Sequence, residues 1–89
     1  MKTDFVLGDV VLSRKGRDKD NYFVVVKILS DDFVEIADGE LHMLKKSKKK
    51  NKKHLKFANK NLEVIASKLE QNKKVFDSEL KSALRAISE

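Results

Sequence analysis

The stretch of residues 8–29, GDVVLSRKGRDKDNYFVVVKIL, constrains the fold of this chain more than any other. Its apolar residues 10–12 predict a short strand, and the β-branched and aromatic residues of 22–29 predict a longer one. The loop between them is polar and contains a single glycine. Four cations surround that glycine: Arg14, Lys15, Arg17 and Lys19. We therefore expect a hairpin whose tip presents positive charge to a phosphate backbone; the alternative is an ordinary turn, neutralised locally by Asp18 and Asp20.

The residues after this hairpin predict three more strands. Strand patterns cover residues 9–13 and 22–29 of the hairpin itself, followed by 33–37, 41–44 and 55–57. Asp38-Gly39 is a strong signal for a tight hairpin turn between the third and fourth strands. Short strands joined by tight turns predict an α+β, mainly β fold built on a five-stranded SH3-like barrel.

The last third of the chain predicts two helices. Apolar residues recur at helical spacing at positions 62, 65, 66 and 69, and again at 80, 83, 84 and 87. The first helix is expected to begin after Asn59 or Asn61 and to end near Asn72. The second is expected to use Asp77 as its N-cap, with Phe76 placed as a hydrophobic staple. The predicted organisation is a barrel over residues 1–58 and a C-terminal helical hairpin over residues 59–89.

The second strand is apolar on both faces. We expect positions 22, 24, 26 and 28 to face the barrel core, which places Phe23, Val25 and Leu29 on the opposite face. Because that face is too apolar for open water, we expect the helical hairpin to fold back and cover it. The alternative is a helix pair that is loosely attached or that docks on a partner.

Positive charge is concentrated in one segment. The net charge of the chain is +6, yet residues 45–60 contain nine lysines and no acidic residue. The basic run within it consists of Lys45, Lys46, Lys48, Lys49, Lys50, Lys52, Lys53 and His54, interrupted by Ser47 and Asn51. Such a density repels itself unless counter-charges are supplied, so a partner with many negative charges would bind there. The alternatives are a solvated linker between barrel and helices, or a device for solubility.

No pattern in the sequence indicates catalysis or a cofactor. The chain contains no cysteine, which excludes disulfides, thiolate metal sites and a cysteine nucleophile. Its three glycines are scattered and form no nucleotide-binding loop. The histidines, His42 and His54, are too few and too far from a carboxylate cluster to suggest a metal or a catalytic base. We therefore expect a protein that is not an enzyme and that needs no metal or cofactor.

Signals for a membrane location are also weak. The longest apolar run, residues 22–26, is too short to span a bilayer. Residues 5–7 are too few for the core of a signal peptide. We therefore expect a cytoplasmic protein without a membrane partner.

The order of these features resembles a known family. Gly8, the loop 15–19 and the run 23–26 look like a KOW motif. Residues 32–36, the Asp38-Gly39 turn, the basic run and His54-Leu55 then follow, which is similar to the fourteen-e family of large-subunit ribosomal proteins and its small bacterial KOW-domain relatives. The resemblance covers residues 4–57. It implies an SH3-like barrel of KOW type that binds RNA.

Three positions depart from the pattern of that family. Asp20 stands where the family usually has a glycine, because the loop there needs a left-handed backbone. Aspartate tolerates this conformation at a cost of about 1 kcal/mol. Ser47 and His42 stand where the bacterial relatives often have proline and arginine.

The charge pattern and the resemblance together imply a non-catalytic protein that binds ribosomal RNA or the ribosome. The residues expected to contact RNA are Arg14, Lys15, Arg17, Lys19, Lys45, Lys46, Lys48, Lys49, Lys50, Lys52, Lys53 and His54. Tyr22 and Phe23 either stack on a base or pack in the core. The alternative function is an SH3-like protein-interaction module that docks through its C-terminal helices on ribosomal proteins or on the transcription machinery.

Overall fold

A five-stranded antiparallel sheet and two C-terminal helices make up the fold. The structure, a computed structural model, describes residues 4–88. The strands are β1 (Asp9–Ser13), β2 (Tyr22–Ile28), β3 (Phe33–Ala37), β4 (Lys48–Asn51) and β5 (Leu55–Asn61), and the helices are α1 (Glu63–Glu70) and α2 (Asp77–Ser88). Two short 3-10 turns, Leu44–Lys46 and Lys52–His54, flank β4. The strand order is β4-β3-β2-β1-β5. The α+β, mainly β class is therefore confirmed.

The predicted hairpin forms between β1 and β2. Val11 lies opposite Phe23 in an antiparallel register. The connecting loop closes at its base, where the backbone amide of Asp20 donates to the carbonyl of Ser13 over 2.8 Å. Asp20 itself has a φ of +71°. The expectation of a left-handed backbone at this position is confirmed, and it explains why a glycine would fit there.

Replacing Asp20 by glycine is expected to stabilise the protein. Glycine adopts a positive φ without the steric cost that a Cβ imposes, so the free energy of unfolding should rise by about 1 kcal/mol. Urea denaturation measures this. The matched control is Asp31→Gly, at an exposed turn position whose φ is not positive. An Asp20→Gly variant no more stable than Asp31→Gly would contradict the assigned strain.

The fourth strand was predicted at the wrong place. Residues 41–44 form no strand; β4 begins at Lys48, inside the basic run, and Lys48 pairs with Ile36 of β3. The carboxylate of Asp38 accepts hydrogen bonds from the backbone amides of both Glu40 and His42, at 2.9 Å each. These bonds hold residues 38–42 in a compact loop, so Asp38-Gly39 opens a long connection and not a tight hairpin turn. The fifth strand is also longer than predicted and runs past the expected boundary at residue 58.

Two clusters of buried side chains lie on opposite faces of the sheet. The inner core contains Phe5, Val11, Phe23, Val25, Val34, Ile36 and Leu55. The helix-side core contains Val10, Val24, Ala37, Ile65, Leu80 and Leu84, with Tyr22 and Val26 packed against it. The predicted assignment of the β2 faces was therefore reversed: Phe23 and Val25 face the inner core, and the face of Val24 is the one that the helices cover. Because β2 is apolar on both sides, its sequence favoured neither orientation. Leu29 is exposed, after a register shift in the pairing of β2 with β3.

Both helices pack on the sheet, as the apolar pattern predicted. Ile65 of α1 and Leu80 and Leu84 of α2 are buried in the helix-side core. The start of α2 also lies against the loop after β3. Gly39 has a φ of +79° and packs so closely on the backbone of Asp77 that a Cβ would overlap the Asp77 carbonyl oxygen. The C-terminal extension is thus part of the same packed unit as the strands.

The ends of the helices differ in how well their sequences predicted them. Asn72, two residues after the end of α1, has a φ of +55°, and the amide of Lys73 donates back to the Lys68 carbonyl over 2.8 Å, which is a Schellman arrangement. Asp77 is not the N-cap of α2, because it is the first helical residue and its carboxylate accepts from the distant amide of Leu44 over 2.8 Å. The residue before it, Phe76, donates its amide to Glu79 and leaves its ring 54% exposed, so it is no staple.

Candidate nucleic-acid interface

The structure brings the hairpin tip and the basic run together. We call residues 14–20 the tip loop and residues 45–54 the lysine segment. The amide of Arg14 donates to the carbonyl of His54 over 2.9 Å, and the ammonium of Lys50 donates to the carbonyl of Lys15 over 2.9 Å. The two segments, separated by 24 residues or more in the chain, therefore form one continuous surface.

Within the lysine segment, successive side chains of β4 point to opposite sides of the sheet. Lys48 and Lys50 lie opposite Ile36 and Val34, which belong to the inner core, so these two lysines point to that side of the sheet. Lys49 points to the other side, where its ammonium lies 4.5 Å from the centroid of the Phe33 ring. The segment is therefore not a uniform array of free cations.

Three of the predicted RNA-contacting lysines are engaged within the protein. Lys50 is only 8% exposed and extends to the tip loop. Lys48 forms an ion pair with Asp18 at 2.7 Å, and Lys52 pairs with Asp4 at 3.3 Å. These contacts give the lysines a structural function in holding the tip loop and the amino-terminal segment against the sheet.

The remaining cations of the predicted set are exposed. In the tip loop they are Arg14, Lys15, Arg17 and Lys19, and in the lysine segment they are Lys45, Lys46, Lys49 and Lys53. Lys45 and Lys46 lie in the first 3-10 turn, whose leading residue, Leu44, is hydrogen-bonded to α2. A phosphate backbone that reaches the tip loop would thus meet Lys53 and His54 beside it.

A buried carboxylate anchors the tip loop. Asp18 is 5% exposed, and its carboxylate contacts the imidazole Nε2 of His42 at 3.0 Å as well as Lys48. The His42 ring in turn lies 5.6 Å from that of Phe23. Burial by itself would raise the pKa of Asp18, but the hydrogen bonds and charges of Lys48 and His42 outweigh it and lower that pKa below its ordinary value.

This network was not predicted. His42 was expected to lie too far from a carboxylate cluster to serve as a metal ligand or a base, whereas its ring reaches the single carboxylate of Asp18. The two residues are 24 positions apart and join two different loops. No local pattern signals such a contact, and the only hint in the sequence was an acid placed inside a cationic loop.

The Asp18 network is expected to make stability depend on pH. Because the folded pKa of Asp18 is lowered, its contribution is present above the ordinary carboxylate pKa and is lost as the pH falls through the folded pKa. At neutral pH, Asp18→Asn should cost roughly 1–3 kcal/mol of unfolding free energy, and this difference from the wild type should shrink in acid. Urea denaturation between about pH 3 and 7 measures it. The control Asp31→Asn, on the surface, should show no such difference; an equal effect of both variants would refute the network.

His54 reports on the positive potential of this surface. Its side chain is half-buried. Desolvation lowers the pKa of His54, and the neighbouring charges of Lys15, Lys53 and Lys50 lower it further. Cations from both the tip loop and the lysine segment therefore act on one imidazole, which locates the region where their potentials add.

The aromatic residues at the base of the hairpin belong to the protein interior. Phe23 is fully buried in the inner core, and Tyr22 is half-buried against the helix-side core. Of the two alternatives, core packing is confirmed for Phe23. Its ring is not available to stack on a base.

Comparison with known proteins assigns no family to the chain. No family model matches its sequence, and no curated protein matches it. Within residues 4–88, no helix has the length and apolar character needed to cross a membrane.

Proposed function

We propose that this protein binds structured RNA, namely ribosomal RNA within the ribosome, and that it catalyses no reaction. The observation that carries this proposal is the joining of the tip loop to the lysine segment, which brings exposed cations from two distant parts of the chain, such as Lys15 and Lys53, to the same imidazole of His54. Double-stranded RNA offers phosphates and 2′-hydroxyls and hides most base edges, so a surface of arginine and lysine suits it. The proposed location is the cytoplasm.

The SH3-like barrel of KOW type belongs to the same proposal. The two edge strands, β4 and β5, are consecutive in the chain and are separated only by the turn Lys52–His54. The four Cα–Cα steps from Asn51 to Leu55 reach about 14 Å at most, so the two edges must approach each other at this turn. A sheet whose edges are tied in this way curls, and this supports a barrel resembling that of the KOW proteins.

The main alternative function is docking on a partner protein through the helices. The apolar helix faces that it would use are not accessible. The apolar faces of α1 and α2 are buried against the sheet through Ile65, Leu80 and Leu84. A protein that used these faces to hold a partner would have to separate its helices from its own core. RNA binding needs no such rearrangement, because the exposed cations are already in place.

Neutralising the tip loop tests the RNA-binding surface. The variant Lys15→Gln, Arg17→Gln, Lys19→Gln removes three exposed charges without touching Asp18 or the engaged lysines. Affinity for a labelled RNA stem-loop is measured by fluorescence anisotropy between roughly 50 and 200 mM salt. The slope of log K against log salt should become shallower by about two, since each lost phosphate contact removes roughly 0.7 to 0.9.

The matched control removes the same number of charges elsewhere. Lys27, Lys60 and Lys81 lie outside both the tip loop and the lysine segment, and their replacement by glutamine should leave the slope nearly unchanged. Equal losses in both variants would mean that RNA is attracted by net charge alone, against the proposal. A variant that neutralises residues 48–53 together is less informative, because Lys48, Lys50 and Lys52 also hold the fold.

His54 provides an independent signal of binding at this surface. Phosphates that neutralise Lys15, Lys53 and Lys50 would relieve the repulsion that lowers the pKa of His54, so this pKa should rise in the complex. Titration of its ring protons by NMR, with and without the stem-loop, measures the change. An unchanged pKa in a saturated complex would show that RNA lies elsewhere.

Sedimentation of source-cell lysate through sucrose gradients tests the ribosomal partner. The protein should co-migrate with the large ribosomal subunit at low salt and be released at high salt. Its absence from every ribosomal fraction, even at low salt, would refute the ribosome as the partner. RNA binding itself is tested separately by the stem-loop measurement.

A further inference from the structure

Three large apolar side chains are exposed where the loop after β3 meets the start of α2. Leu41 is 60% exposed, Met43 is 50% exposed and Phe76 is 54% exposed. Met43 and Phe76 each directly precede a residue of the hydrogen bond between the Leu44 amide and the Asp77 carboxylate, which is 2.8 Å long. That bond fixes the two segments side by side. We call Leu41, Met43 and Phe76 the apolar patch.

Three lysines lie in the segments that carry the apolar patch. The ammonium of Lys74 lies 5.0 Å from the centroid of the Phe76 ring, and the amide of Lys46 donates to the carbonyl of Met43 over 2.9 Å. Lys45 is exposed in the same 3-10 turn. Within residues 4–88, none of these three lysines forms an ion pair with a carboxylate.

The carboxylates at the start of α2 are already used by the protein itself. Asp77 accepts from Leu44, and Glu79 binds both the Lys68 ammonium and the Phe76 amide. Glu40, next to Leu41, lies 3.8 Å from the ammonium of Lys81. Each of these carboxylates thus has a partner in the protein, whereas Lys45, Lys46 and Lys74 pair with no carboxylate among residues 4–88. Exposed apolar groups with a polar rim are a common mark of a protein-binding site.

We propose that the apolar patch docks an acidic amphipathic segment of a partner protein, with apolar side chains on the patch and carboxylates on Lys45, Lys46 and Lys74. Leu41 and Met43 have no aromatic face and cannot stack on bases, so a single-stranded nucleic acid would use Phe76 alone. The flexible thioether of Met43 adapts to different apolar partners. A second copy of this chain would bring lysines against lysines, which disfavours self-association through the patch.

The test uses the full chain and a synthetic peptide of roughly four helical turns, with leucines at i, i+3, i+4 and i+7 and glutamate or aspartate elsewhere. Fluorescence anisotropy measures the affinity of the labelled peptide. Met43→Ser combined with Phe76→Ser should weaken binding by about tenfold or more, and Lys45→Glu, Lys46→Glu, Lys74→Glu should weaken it similarly. The control Val64→Ser, at a side chain that is 71% exposed on α1, should bind as the wild type does.

The proposal would be overturned if the peptide did not bind at millimolar concentration, or if it bound the wild type and the Met43→Ser, Phe76→Ser variant equally. It would also be overturned if the patch preferred oligouridine, or if the protein self-associated and this variant abolished the self-association. All variants change exposed side chains, and unchanged melting temperatures would show that they fold. The Met43→Ser, Phe76→Ser variant should keep its affinity for the RNA stem-loop. Its test is therefore independent of the RNA-binding proposal.

Discussion

Gly39→Ala is expected to lower the free energy of unfolding by about 3 kcal/mol, a large fraction of what a small domain possesses. Two costs combine. Alanine at a φ of +79° is strained by about 1 kcal/mol, and the new Cβ would overlap the carbonyl oxygen of Asp77. Since the overlapping atom belongs to the backbone, the start of α2 would have to move away from the loop after β3. This movement would also stretch the hydrogen bond from the Leu44 amide to Asp77.

Gly16→Ala is the matched control for this prediction. Gly16 has nearly the same φ, +81°, but its nearest neighbour would be the flexible ammonium of Lys50 at 3.6 Å. It should therefore cost only the backbone strain, about 1 kcal/mol. Thermal unfolding measures both variants, with an expected drop of roughly 15 °C for Gly39→Ala and about 5 °C for Gly16→Ala. Equal drops in melting temperature would show that the close contact between Gly39 and α2 does not contribute to stability.

Leu80→Ala is the second change with a large expected effect. Leu80 is fully buried at the centre of the helix-side core, between α2 and the sheet. Truncation would leave a cavity and lose transfer free energy, at a cost of about 2–5 kcal/mol. Urea denaturation followed by circular dichroism measures the loss.

The control for Leu80→Ala is Val64→Ala on α1. Val64 is 71% exposed, so its truncation should change the unfolding free energy by no more than about 0.5 kcal/mol. If the helices were separable from the sheet, Leu80→Ala would instead produce an early transition of the helices alone. A single transition shifted to lower urea would show that both cores unfold together.

Runs of β-branched and aromatic residues made β1 and β2 predictable, and the alternation of residues 33–37 made β3 predictable. The strand positions found agree closely with those predicted. β4 could not be found in this way, because a run of lysines shows no alternation. Its order depends on tertiary contacts: the long stems of Lys48 and Lys50 lie on the inner-core side and their charges reach Asp18 and the Lys15 carbonyl.

The candidate interface was predictable in composition but not in arrangement. The exposed cations of the tip loop follow from the sequence, as does the left-handed Asp20. The pairing of Asp18 with His42 and of Asp77 with Leu44 joins residues that are far apart in the chain. Side chains that form hydrogen bonds with groups far away in the chain produce no periodic pattern in the sequence, so only the folded structure reveals these bonds.

The placement of β4 at the border of the sheet has a consequence for aggregation. In the described part of the chain, β4 pairs with β3 alone, so its other side carries the backbone groups that in many proteins recruit a strand from a neighbouring molecule. The sequence of β4 is KKKN. A second molecule that added its own β4 here would stack ammonium groups at strand spacing, and their repulsion opposes fibril growth. The lysines of β4 thus protect this border of the sheet against the addition of a strand from a second molecule.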